Sequence, residues 1–297
     1  TAAALAGLCH KPGRNAIHVD AQAVGRANAE SARAIECLLD RLRVGVGQAE
    51  HGLVHHSERH LGLRWSSAGV GHAEIAIVGC TIQHSVRAPD SANIRFIGRD
   101  SAGRYWGNLT IGDNVLSDVT RNIEIIAARG VSIVGNTFWG AAEEDLLVVD
   151  SQNVVVGANM FDQSPNYNRE GNYRGGVRFH RSRDCTLQGL HLADILGPAI
   201  VLEECEGLNV TGCTVRGSQG PAIDVQGVSR SRISDCLLQT AAAREADGRT
   251  PPAIRVQGSS RLLIRGNMTD AEIEVSPDSG EVTLGDNVRV PPREPAP

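Results

Sequence analysis

An all-β solenoid is the fold that this sequence predicts, on three observations: an eight-residue pattern returns nine times, its apolar positions keep a period of two, and a thiol or small polar residue recurs at one place in almost every copy. The copies occupy 75–82, 109–116, 131–138, 154–161, 185–192, 208–215, 231–238, 262–269 and, more weakly, 281–288. Their starts are separated by 34, 22, 23, 31, 23, 23, 31 and 19 residues, so the basic unit is near 23 and the longer intervals hold insertions. The third position of each copy is Ile77, Ile111, Ile133, Val156, Leu187, Val210, Ile233, Ile264 and Thr283. The eighth is Ile82, Leu116, Phe138, Phe161, Leu192, Val215, Leu238, Thr269 and Val288. These two columns face a core.

A second apolar segment precedes each third position, as in Leu146 and Val148, Val177 and Phe179, Ile200 and Leu202, Ile223 and Val225, and Ile254 and Val256. Each repeat therefore holds about three short strands. The LxxLxL framework of leucine-rich repeats is absent. A parallel β-helix remains, in which each repeat is one coil stacked at about 4.8 Å on the next, and nine coils make a rod of about 40 Å.

The sixth position reads Cys80, Asn114, Asn136, Asn159, Leu190, Cys213, Cys236, Asn267 and Asp286. An Asn at a sharp turn tolerates left-handed backbone angles and bonds to its neighbours above and below as a ladder. With these columns the sequence resembles the right-handed parallel β-helix superfamily typified by pectate lyases, over about residues 60–290. The resemblance is specific for architecture, because lyases, epimerases, hydrolases, adhesins and phage tailspikes share that framework.

The ends differ from the middle. Residues 28–42 carry Ala32, Ile35, Leu38, Leu39 and Leu42 at helical spacing, as expected of an N-terminal helix that covers the open strand edges of a solenoid. A helix that binds a partner is the alternative. Residues 45–72 are rich in Gly and His, and His55, His56 and His60 beside Glu58 match no standard metal spacing, so they read as solvated loop histidines. The division expected is a cap over 1–45, a β-helix over 46–290, and a tail over 291–297 whose prolines cannot continue a ladder.

Composition limits the partners. Among 297 residues, 41% are hydrophobic and only 3% aromatic, which gives an aliphatic core. Lys plus Arg number 29 against 34 for Asp plus Glu, a net charge of -5, which argues against nucleic acid. No apolar run is long enough for a membrane span. The seven cysteines form no CxxC pair and read as buried, inert thiols. The chain begins at Thr1 without Met, so a processed or trimmed start is expected, with any export signal out of view, and a secreted or periplasmic protein is expected. Oligomeric state stays open.

Alternation identifies the outward side chains of the strand that precedes each copy. One column is Glu124, Leu147, Arg178, Val201, Asp224, Arg255 and Glu274, and the next is Ile126, Val149, His180, Glu203, Gln226, Gln257 and Ser276. Polar groups gather over four coils, a patch suited to a sugar acid. The insertion 162–176 enters at the Arg178 coil with Tyr167, Arg169, Glu170, Tyr173 and Arg174, and the insertion 239–252 flanks the Arg255 coil. Two loops then wall a groove.

The resemblance implies an acidic, uronate-containing polysaccharide as partner and β-elimination as the reaction. That chemistry needs a carboxylate clamp and a base. Arg178, Arg174 or Arg255 is the candidate clamp, and His180 or Tyr173 the candidate base. Glu203, Asp224, Gln226, Arg255, Gln257, Tyr167 and Arg169 are the candidate substrate contacts. Calcium is an alternative clamp, with Glu203 and Asp224 as ligands, although roughly 8 Å between their strand positions is loose for one ion. The same two carboxylates would serve an inverting glycoside hydrolase. A noncatalytic glycan-binding β-helix, surface-borne or tailspike-like, is the reading from another class. Trp106 and Trp139 are candidates for stacking sugars.

Overall fold

Alternating aliphatic residues put one side of every strand inward, and three strands per repeat close those sides around a common axis. The computed structural model describes residues 75–83, 90–99, 103, 105–241 and 250–291, and the backbone alone of the strands Val44–Val46, Gly52–Ser57 and His60–Trp65. One coil runs through Ala92–Ile97, Trp106–Gly112 and Val115–Ser117. Later coils repeat that order, so the chain builds a front sheet from the first strands, a back sheet from the second and a side sheet from the third. From Ile75 onward every strand pair is parallel. Among the described residues the side sheet has nine strands, from Thr81–Gln83 to Val288–Arg289.

The register puts the repeats of the sequence on top of one another. Ile77, Ile111, Ile133, Val156, Leu187, Val210, Ile233 and Ile264 are successive partners in the back sheet. Leu116, Phe138, Phe161 and Leu192 are successive partners in the side sheet. All are buried, and the Phe138 and Phe161 rings stack with centroids 4.6 Å apart and planes 4° from parallel.

The ninth copy is corrected by one residue. Ile264 pairs with Leu284 and Thr269 with Arg289, so Asn287, not Asp286, holds the sixth position. Two stretches of ladder result. Asn114 donates from Nδ2 to Oδ1 of Asn136 at 2.9 Å, and Asn136 in turn to Asn159 at 3.0 Å. Asn267 donates likewise to Asn287 at 2.9 Å. Leu190, Cys213 and Cys236 fill the gap between them. The left-handed residue of this turn is the one before the Asn, for example Asp113 at φ 54° and Gly135 at φ 74°. The Asn side chain therefore bridges coils rather than supplying the turn's backbone angle.

At the N-terminal end, Gly52–Ser57 and His60–Trp65 form an antiparallel hairpin whose second strand joins Ala92–Ile97 of the front sheet. The expectation of a loop at His55, His56 and His60 is corrected accordingly: these positions are on strands. The strand His60–Trp65 joins the front sheet in parallel, and Gly52–Ser57 adds one strand of reversed sense beyond it, one way to end a parallel stack. The expected helix 28–42 and most of the tail lie outside the described residues. Among those described, no helix is long and apolar enough to cross a membrane. Cys80, Cys185, Cys205, Cys213 and Cys236 are buried and in no disulfide, and burial pushes the thiols of Cys185 and Cys205 up to about 12 and about 11.

Candidate functional site

The two outward columns read from the sequence stand on the front sheet in register. Glu124, Leu147, Arg178, Val201, Asp224, Arg255 and Glu274 follow one another, as do Val149, His180, Glu203, Gln226 and Gln257. Their charges are joined. Arg95 bridges Asp90 at 3.0 Å and Glu124. Arg121 reaches Asp90 at 2.9 Å, Glu144 at 3.3 Å and also Glu143. Arg178 continues the series, with Nε 3.1 Å from Glu144 Oε1 and Nη1 2.7 Å from Glu203 Oε1.

Glu203 is the branch point. Its other oxygen, Oε2, lies 3.5 Å from His180 Nδ1. His180 Nε2 meets Nη1 of Arg181, whose Nε and Nη2 are held by Asp150 at 2.7 and 3.0 Å. His180 Nδ1 is buried and makes no hydrogen bond, so Glu203 faces it at ion-pair distance only. Burial works against the charge of Arg178, but the hydrogen bond and field of Glu203 and the field of Glu144 outweigh it and raise its pKa.

Two recesses lie on either side of this centre. One, about 120 Å³, is lined by Glu143, Glu144, Arg174, Arg178, Pro198 and Val201. The other, about 380 Å³, is lined by His180, Glu203, Glu204, Gln226, Gln257 and Asp278. Of the residues read from the sequence, Arg174, Arg178, His180, Glu203, Gln226 and Gln257 thus border one continuous strip. Asp224 and Arg255 are register partners in the adjoining column. Tyr167 and Tyr173 point elsewhere, onto Trp139. Arg169 is exposed on the insertion.

Glu203 and Asp224 do not fit calcium. Glu203 already accepts from Arg178, and no cluster of three or more His, Cys, Asp or Glu suited to a metal exists among the described residues.

Two residues absent from the sequence reading matter here. Glu144, in the turn before the Leu146–Val149 strand, holds the second side of Arg178. Asp145, fully buried, accepts from Asn122, Gln163 and Gly176 and so anchors the insertion 162–176. The signal for Asp145 was available: Asn93, Asn122 and Asp145 each precede the first inward residue of a front-sheet strand.

No protein-family model matches the chain, and no curated protein matches it in sequence. Solved structures do. The A-module of mannuronan C-5 epimerase AlgE6 from Azotobacter vinelandii is 13% identical with a TM-score of 0.51, over 73% of this chain and 58% of its own length. The AlgE4 A-module of the same organism is 12% identical, with a TM-score of 0.40 over 78% of this chain and 85% of its own. A DFA-IIIase from Arthrobacter chlorophenolicus A6 is 14% identical, with a TM-score of 0.34 over 62% and 48%. The chain thus spans 58% of the length of the AlgE6 module, and the likeness is one of fold. With its three parallel sheets and its stacked coils, this chain is a right-handed parallel β-helix.

Proposed function

We propose that this β-helix is carbohydrate-active, binds an acidic, uronate-containing polysaccharide along its front sheet, and cleaves it by β-elimination. One observation carries the reading: Glu203, which lines the larger recess with His180, is bonded to Arg178, which lines the smaller one. In the reaction a uronate carboxylate takes a face of Arg178 from Glu203 or Glu144, which acidifies the proton at C-5. His180, with the Glu203 carboxylate 3.5 Å from Nδ1 to stabilise its protonated form, takes that proton on Nε2 once the polymer displaces Arg181. The C–H electrons form the C-4 to C-5 double bond, the C-4 to oxygen bond breaks, and the leaving oxygen gains a proton. Such polymers are met outside the cytoplasm, which supports a secreted or periplasmic location.

The AlgE6 module adds support of a general kind. C-5 epimerisation of a uronate begins with the same proton abstraction and differs only in reprotonation from the opposite face. A second reading has its own observation: both sides of Arg178 are already taken by carboxylates, as in a face that binds glycan without reacting. Incubation with alginate, polygalacturonate and hyaluronan separates these. A lyase yields ultraviolet absorbance from the unsaturated end, lost in Arg178→Ala and His180→Ala. An epimerase changes the proton NMR spectrum without new chain ends. Binding with neither change establishes the glycan-binding reading, and absence of binding removes the whole proposal.

A further inference from the structure

We infer that Trp139, Tyr167 and Tyr173 form a fixed platform for a neutral pyranose ring, so that the polymer proposed above is a mixed one in which uronates are joined to neutral sugars. The inference rests on the polysaccharide reading and adds a second contact to it. The chain has only three Trp and three Tyr. Three of these six meet at one corner, where the Trp139 ring lies 5.6 Å from Tyr167 and 6.4 Å from Tyr173. Tyr167 is 73% exposed, so its ring does not serve to bury the insertion. An exposed aromatic held against two others presents a flat apolar face of the kind that the C–H side of a sugar covers.

The platform is built in advance. Asn168 brackets Tyr173, with Nδ2 donating to the Tyr173 carbonyl at 2.7 Å and Oδ1 accepting from its N–H at 3.1 Å. Asp145 holds both ends of the same insertion through Gln163 and Gly176. Preorganisation of this sort lowers the ordering cost of binding.

Charge selects the ring. Asp162 follows Phe161, the register partner of Phe138, and so stands one coil from Trp139, while Asp118 is close enough to act on Tyr173. Carboxylates beside the rings accept hydrogen bonds from sugar hydroxyls and repel a uronate. Guanidiniums take over one residue further on, because Arg174, next to Tyr173, lines the recess that holds Arg178. Neutral and acidic sugars therefore have adjacent places.

Affinity electrophoresis through polygalacturonate, through the alternating galacturonate–rhamnose backbone of rhamnogalacturonan, and through hyaluronan tests this. The wild-type chain is expected to be retarded more by a mixed polymer than by polygalacturonate. Tyr167→Ala should weaken binding to the mixed polymer roughly fivefold to tenfold, with Tyr167→Phe near wild type and polygalacturonate binding unchanged. Circular dichroism checks that the variants fold. Equal retardation of Tyr167→Ala and wild type in both mixed polymers overturns the platform, as does wild-type binding to polygalacturonate alone. The front-sheet reading is judged separately, by loss of polygalacturonate binding in Arg178→Ala. Retardation by none of the polymers overturns both.

Discussion

Oδ2 of Asp145 lies 2.9 Å from Nε2 of Gln163, and the same oxygen accepts the Gly176 N–H at 3.0 Å. One buried carboxylate thereby closes both ends of the insertion that carries Tyr167, Tyr173 and Arg174. Its other oxygen ends a chain of amides, since Asn93 donates to Asn122 at 2.7 Å and Asn122 to Asp145 at 2.9 Å. Donors converge on Asp145 from both sides, and both of its oxygens accept.

Removing that acceptor should loosen the insertion. Asp145→Ala strands three buried donors at about 1–3 kcal/mol each, so a loss of at least about 3 kcal/mol is expected in a urea melt. Trypsin should also cleave faster after Arg169 and Arg174. A melt within 1 kcal/mol of wild type, with unchanged proteolysis, would show that the insertion holds itself.

Asp145 also sets a pH dependence. Burial pushes its carboxyl up to about 6, although the bonds from Gly176, Asn122 and Gln163 pull the other way. An acid whose folded pKa lies above its unfolded one binds more protons when folded, so its contribution falls as pH rises between about 4 and 6. Two pKa units correspond to about 3 kcal/mol. Paired melts of wild type and Asp145→Asn isolate the effect from the surface carboxylates. Wild type should gain about that much relative to the variant on going from pH 7 to pH 4, and a constant difference would exclude the ionisation.

The Asn ladder can be tested through its own exception. Leu190 occupies the equivalent position two coils on, so the coil accepts a Leu side chain there. Asn136→Leu consequently reads the hydrogen bonds more than the space: the Asn114 N–H and amide lose an acceptor, and the Ile111 carbonyl loses a donor. A loss of about 2–4 kcal/mol is expected, against under about 1 kcal/mol if the ladder merely fills volume. Thermal or urea unfolding decides between them.

Columns were legible in the sequence because stacking turns a period of 23 into vertical contact. Ile133, Phe161 and Arg178 could each be assigned a face by alternation alone. The ninth copy slipped by one residue because Asp286 and Asn287 both suit the sixth position and its third residue, Thr283, gave no apolar anchor. The hairpin at 52–65 was not legible, since its strands pair with each other rather than by the repeat. Side-chain reach hid the rest. Glu144 sits in a turn outside both columns, yet its carboxylate meets Arg178. The conformation of the insertion alone decides that Tyr173 meets Trp139 instead of His180.

Glu203 offers the sharpest test of the front sheet, because it does two opposed things. In the proposed reaction it competes with a uronate carboxylate for Arg178, from which it lies 2.7 Å, and it sets a negative charge 3.5 Å from His180 Nδ1. Glu203→Gln keeps the shape and removes the charge. Polymer binding should then tighten, since Arg178 retains only Glu144 as a charged partner, while turnover should fall by about a hundredfold or more as the imidazole loses the negative charge that stabilises its protonated form. Stability should change by no more than about 1 kcal/mol, because these side chains are only partly buried. A tighter complex with slower turnover supports both roles. Weaker binding would mean that Glu203 contacts the sugar directly, and unchanged turnover would remove His180 as the base.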